Sequence, residues 1–212
     1  MKRLGLPLLA CTLLLCRAGA ADPAPIVDVA RDPAWRDLLG PLAPTRARES
    51  SFEERRYFPF RRDPILLTGE IRILPSRGLS LGYLTPEPRV LIADSKGLLL
   101  RDASGHDRAL PDDARAQAAT AALAGVLRFD LPELEKSFEL RGRHDGAAWT
   151  LSLSARDRTL AGALGTLVLT GDRGRLLRIE MIRSASQRIE IRIGEPREDV
   201  TFSAETLDRF FR

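Results

Sequence analysis

The chain has 212 residues, 44% of them hydrophobic and 29% charged, with 33 basic and 29 acidic side chains, which suits one domain with its own core. Its formal charge of +4 invites a nucleic-acid reading, but Lys2, Arg3 and Arg17 fall in an N-terminal segment of signal type. Without them 30 basic residues face 29 acidic ones, a net charge near +1 that excludes a phosphate-binding surface as the source of the basic balance.

That segment opens with Met1-Lys2-Arg3, continues through an apolar run over 4–15, and closes on Ala18-Gly19-Ala20. A basic start, a short apolar stretch and an A-x-A site predict a secretory signal peptide over 1–20, cleaved after Ala20, and a single domain over 21–212. The run is too short for a transmembrane helix. Leu8-Leu9-Ala10-Cys11 supports a rival reading, acylation of Cys11. Both cysteines, Cys11 and Cys16, lie in the signal, so cleavage leaves no disulfide framework. With two histidines besides, no metal site or cofactor is expected.

Taken in order, Pro33 follows Asp32, a candidate N-cap, and Trp35, Leu38, Leu39 and Leu42 form one helical apolar stripe. Residues 52–102 then alternate apolar and polar side chains, broken by Pro and Gly, as an antiparallel meander does. Leu67, Gly69, Ile71 and Ile73 share one face; Leu79, Leu81 and Tyr83 repeat it after a turn. The opposite face, with Thr68, Glu70 and Arg72, reads as solvated. A loop over 102–107 ends this half.

Pro111-Asp112-Asp113 predicts the start of a second helix, with Ala119, Ala122, Leu123, Val126 and Leu127 as a stripe of mostly small residues. Asp130 with Glu133 reads as an N-cap with its N3 carboxylate, opening a short helix with Leu131, Leu134 and Phe138 inward. Strands are predicted over 139–143, 148–154, 164–170, 176–183 and 187–193, with turns at His144-Asp145-Gly146 and over 171–174. Trp149, Leu151 and Leu153 share a face, as do Ile189, Ile191 and Ile193. Ser203 can cap a last helix carrying Leu207, Phe210 and Phe211. The pattern predicts an α+β, mainly β domain: a curved antiparallel sheet, an unclosed half-barrel, with helices across its opening.

Ser104, His106 and Asp107 are close in sequence, but a polar loop alone supplies neither the rigid geometry nor the oxyanion site that nucleophilic catalysis needs. His144 reads as a turn residue. GxxxxGK[ST] and HExxH motifs are absent from the sequence, and Gly162, Gly165, Gly171 and Gly174 read as strand-edge and turn glycines. An enzyme is not expected.

Phe52, Pro64, Gly69-x-Ile71, Pro75, Leu79 and Pro86-x-Pro88, followed by Trp149-x-Leu151-x-Leu153, Leu167-x-Leu169-Thr170-Gly171 and Leu177-x-Ile179, resemble the LolA-type family, periplasmic carriers of outer-membrane lipoproteins. The chain departs from that pattern at Gly82-Tyr83, where a Trp is usual, and at Ala155, where a Pro often follows. The resemblance implies a periplasmic, monomeric, non-enzymatic carrier whose hollow under a helical lid holds lipoprotein acyl chains or another lipid. Its partners would be an inner-membrane release complex and an outer-membrane receptor. Periodicity alone leaves open whether the apolar strand faces are closed core or cavity. The candidate lining residues are Leu67, Ile71, Ile73, Leu79, Leu81, Tyr83, Trp149, Leu151, Leu153, Leu167, Leu169, Leu177, Ile179, Met181, Ile189, Ile191 and Ile193. Two alternatives stand beside the carrier: a LolB-like receptor anchored through Cys11, and an envelope interaction protein with a solid core.

Overall fold

The computed structural model describes residues 24–25, 33–108 and 114–212. The signal segment, the Asp32 cap and the start of the second helix at Pro111 lie outside the described residues.

Thirteen strands form one sheet: β1 (Ala24–Pro25), β2 (Arg48–Tyr57), β3 (Ile65–Leu74), β4 (Gly78–Thr85), β5 (Arg89–Asp94), β6 (Gly97–Arg101), β7 (Asp107–Arg108), β8 (Phe138–Asp145), β9 (Ala148–Ala155), β10 (Thr166–Asp172), β11 (Arg175–Ser184), β12 (Gln187–Ile193) and β13 (Arg197–Glu198). Its order is β1-β8-β9-β10-β11-β12-β2-β3-β4-β5-β6-β7, with β13 on β2. The late strands thus join the early meander where β12 pairs β2, and Ile191 stands opposite Glu54. The first and last strands of this path, β1 and β7, are not paired with each other, so the sheet is an unclosed half-barrel.

The helices are α1 (Pro33–Leu39), continued by a 3-10 turn over Gly40–Leu42, α2 (Ala114–Arg128), α3 (Leu131–Ser137), α4 (Arg158–Leu164) and α5 (Ala204–Phe210). The first four cover the inner face of the sheet, where Trp35, Leu39, Leu123, Val126, Leu127, Leu134 and Leu164 join the inward strand residues in one buried cluster. The predicted cap of α3 is present, the Asp130 carboxylate accepting from the Glu133 N–H at 3.2 Å.

Three expectations change. Residues 158–164 are helix α4 rather than loop and strand, and β10 starts at Thr166. Asp157 caps α4 by accepting from the Leu160 N–H at 2.9 Å. Gly165 ends it at φ 69°, where a Cβ would come within 2.1 Å of the Ile182 carbonyl oxygen, so it is a helix terminator, not a strand-edge glycine. Gly162 lies within α4, and His144 belongs to β8, the turn after it being Gly146 and Ala147.

The third change concerns the outer face, which is not wholly solvated. The C-terminal segment folds over it. Ser203 caps α5 by accepting from the Thr206 N–H at 3.2 Å, and Phe211 is buried with its ring 5.6 Å from that of Phe202. Val90, Ile92 and Ser80, outward on β4 and β5, are buried. The Arg72 guanidinium lies 3.9 Å from the centre of the Phe210 ring and pairs with Glu49 at 2.8 Å. Arg101 donates to the Asp208 and Arg209 carbonyls at 2.6 and 2.9 Å, and Arg212 pairs with Asp94 at 2.5 Å. Hydrogen bonding from Arg212 holds the Asp94 carboxyl below its ordinary range.

Phe211→Ala is expected to remove about 3 kcal/mol of stability, read as a lower urea midpoint, because it empties the centre of this second, smaller core. An unchanged midpoint would mean that the C-terminal segment does not stabilise the sheet.

Candidate functional site: a divided apolar hollow

The inner face divides into filled core and open space. Leu79, Leu151, Leu153, Leu167 and Leu169 are almost entirely buried, and Leu67 lies with them. Trp149 is buried as well: its indole N–H donates to the Arg173 carbonyl at 2.8 Å, and its ring lies against Gly171, where a Cβ would approach it to 2.1 Å. These candidates belong to the packed interior.

Leu177 stands apart, 37% exposed. The register between β10 and β11 shifts at Gly171, which faces Leu176, while Thr170 faces Arg178. Leu177 is left in the bulge between them, and Leu176 takes the place against the core. A one-residue slip turns a strand over, so period-two counting back from Ile179 assigns Leu177 the wrong side.

The remaining candidates border space. Ile71, Leu81, Tyr83, Ile179 and Ile191 surround a void of about 10 Å³ beneath Leu123 and Leu127 of α2, room for one water molecule at most. Here the lid is seated on the sheet. To one side, Ile71, Ile73 and Ile193 border a small recess of about 70 Å³ with Leu42, Leu127 and Phe129. To the other, Tyr83, Met181 and Ile189 belong to a hollow of about 300 Å³ with Tyr57, Phe58, Leu91, Leu123 and Leu164. Phe58 stacks on Phe60, ring centres 5.3 Å apart, and Phe60 is 81% exposed.

A larger cleft, about 930 Å³, separates α2 and α3 from the 3-10 turn after α1. Ala118, Ala121, Ala122 and Gly125 make its α2 wall, so the small residues leave room between helices. Arg128, Asp130 and Glu133 stand along it. Both spaces fall within the range of about 300 to 1,000 Å³ usual for small-molecule sites.

A charged group inside the sheet escaped the sequence analysis. Glu54 follows Phe52 on the inward face of β2, and its side chain is 3% exposed. It accepts from the Tyr83 hydroxyl at 2.9 Å and from Arg56 Nε at 2.5 Å. Burial, with the Glu54 charge beside it, pushes the Tyr83 phenol well above its ordinary value, so Tyr83 stays a donor. The Arg89 guanidinium sits 4.8 Å from the Tyr83 ring centre. In sequence, Glu54 and Arg56 sit among the run Glu53-Glu54-Arg55-Arg56. The only signal available was that Glu54 shares the parity of Phe52.

Ser104 and His106 occupy the predicted hairpin loop, which ends one residue early because Asp107 opens β7, and all three are exposed. Asp102 organises it by accepting from the Ser104 and His106 N–H groups at 2.9 and 3.0 Å, while Asp107 pairs with Arg101 at 2.6 Å. His144 packs edge-on against Trp35, centres 5.4 Å apart. Among the described residues no group of His, Cys, Asp and Glu could hold a metal ion, and no helix is long and apolar enough to cross a membrane.

The sheet, its open edges and the helices seated in it make this an unclosed half-barrel. No family model and no curated protein matches the sequence. Solved structures are similar in fold: a chain of the Pseudomonas aeruginosa MucA/MucB complex, at TM-score 0.47 and 17% identity over 82% of this chain and 59% of that one; LolA superfamily protein NE2245 from Nitrosomonas europaea, at 0.45 and 10% over 80% and 95%; and MucB in complex with MucA(peri), at 0.45 and 15% over 82% and 58%. The chain therefore spans less than two thirds of the chains from the MucA and MucB complexes.

Proposed function

We propose that this protein is a periplasmic carrier that shelters the acyl chains of a lipoprotein or a related lipid on their way toward the outer membrane. The observation that carries the reading is the hollow of about 300 Å³ under α2, walled by Tyr57, Phe58, Leu91, Leu123, Leu164, Met181 and Ile189. It lies beside the place where α2 is seated over a void of about 10 Å³. Each CH₂ withdrawn from water contributes about 0.8 kcal/mol, so an acyl chain entering the hollow and lifting the Leu123 and Leu127 contacts exchanges one apolar burial for another. Loading then needs little net work, and unloading needs a competing apolar sink. An inner-membrane release complex and an outer-membrane receptor would supply the cargo and the sink. A cleaved signal over 1–20 and a monomeric carrier over 21–212 belong to the same proposal, and no catalytic step is needed for it.

A second reading, an envelope protein that binds a protein partner, is favoured by the cleft of about 930 Å³ with Arg128, Asp130 and Glu133 along it, which offers polar groups that a lipid tail would not use.

The two spaces can be told apart by fluorescence. Trp149 contacts Phe129, which lines the larger cleft, whereas no tryptophan borders the 300 Å³ hollow. A Trp35→Phe/Phe58→Trp variant titrated with a brominated fatty acid is expected to show saturable quenching well beyond that of Trp35→Phe alone. Mass spectrometry of organic extracts from protein purified out of the periplasm is expected to show bound lipid. Normal folding with neither quenching nor lipid would overturn the carrier.

A further inference from the structure

The 300 Å³ hollow is not uniformly apolar. Arg56, Arg183 and Arg188 line it with a single carboxylate, that of Glu54, an excess of two positive charges among its described lining residues. A guanidinium has five N–H donors. Arg56 uses Nε on Glu54. Arg183 donates Nε to the Ala163 carbonyl at 2.7 Å, and its Nη2 reaches the same oxygen, fixing it to the last turn of α4. Arg188 donates Nη1 to the Ala185 carbonyl at 2.8 Å and lies 3.8 Å from the centre of the Tyr57 ring. These bonds hold the three guanidiniums in place and leave further donors on each.

An apolar hollow serving only as a shelter for hydrocarbon has no use for this charge. The arrangement suits a ligand that is itself divided. We infer that the hollow takes an amphiphile with an anionic head, a carboxylate or phosphate, set among Arg56, Arg183 and Arg188, its tail lying on Leu91, Leu123, Leu164 and Met181. The inference rests on the carrier reading and adds the class of cargo. Guanidiniums bind carboxylate and phosphate through paired, charge-assisted N–H bonds. A cationic head is repelled, and an uncharged one gains nothing from the surplus charge.

The test compares a fatty carboxylate, the alkyl phosphate, the fatty alcohol and the alkyl ammonium of one chain length, as competitors of a brominated fatty acid bound to the full-length secreted protein carrying Phe58→Trp. Acetate and inorganic phosphate serve as free heads. The carboxylate and alkyl phosphate are expected to bind about tenfold more tightly than the alcohol, with the ammonium weakest and the free heads ineffective. Raising the salt concentration is expected to shrink the preference. Arg188→Gln should remove most of it, and Arg183→Gln supplies the second variant should Arg188→Gln fold poorly. Equal binding of alcohol and carboxylate, or a preference that survives both substitutions, overturns the anionic head and leaves the carrier standing. Failure of every tailed compound to bind overturns both, and competition by inorganic phosphate alone would make the site an anion site without a tail.

Discussion

Ile191→Asp is expected to abolish cooperative folding. Ile191 is 4% exposed on the inward face of β12, paired with Glu54 of β2 and Ile179 of β11. The space beside it is only about 10 Å³, room for at most one of the several waters that a carboxylate would require. An aspartate there would be buried beside a second carboxylate, that of Glu54, which already accepts from Arg56 and Tyr83. Burying an unpaired charge costs several kcal/mol, against a total stability of about 5–15 kcal/mol for a domain. Ile191→Ala, which only removes volume, should cost about 3 kcal/mol and leave a measurable urea transition. Circular dichroism during urea titration checks both. A sharp transition for Ile191→Asp near the parent midpoint would mean that the lid is not seated on Ile191 in solution.

Glu54→Ala is expected to lower stability by about 4 kcal/mol, since breaking a buried pair strands its partners. The buried Tyr83 hydroxyl loses its acceptor, and Arg56, whose side chain is 32% exposed, is left without its anion in the wall of the hollow. Glu54→Gln keeps an acceptor for Tyr83 and should cost about half as much. Removing both ends of the hydrogen bond, in Glu54→Leu with Tyr83→Phe, should recover part of the loss, because matched apolar groups leave nothing unsatisfied. The urea midpoints of Glu54→Ala, Glu54→Gln, the double variant and its two single substitutions make the comparison. An additive double variant would show that Glu54 and Tyr83 are not coupled.

The same network gives the stability a pH dependence of definite sign. The Tyr83 phenol has a folded-state pKa above its unfolded value. Its contribution is therefore fully present below about pH 10, the unfolded value, and is lost as the pH rises from there through the folded value. Tyr83→Phe should remove that alkaline fall.

Much of the architecture was legible in one dimension. Where a strand has one buried face, period-two alternation is a direct record of that face, and Leu67, Ile71, Leu79, Leu151, Leu153 and Leu169 are buried as their spacing predicts. Caps were legible for the same local reason: Asp130 and Ser203 bond N–H groups three residues away, a reach that sequence distance expresses. The cap and terminator of α4, Asp157 and Gly165, carried the same signal. It was hidden by an Ala- and Gly-rich segment that alternates weakly enough to pass for strand.

Outside α4, the sequence by itself determined which residues form strands and helices and, wherever the register runs unbroken, which side chains turn inward, because both follow from contacts within a few residues. Only the tertiary structure decided what those inward faces enclose. Whether Ile191 meets a helix or a hollow depends on where Leu123 of α2 comes to rest; whether Glu54 is a surface charge or a buried one depends on Tyr83, 29 residues away; and whether the outer face is wet depends on Phe210 returning to Arg72 of β3 and Gly82 of β4. Leu177 marks the boundary between the two kinds of information. Its alternation is local, but the bulge that turns it outward belongs to the pairing of two strands, and pairing registers are set by the packing of whole faces rather than by any one strand's own pattern.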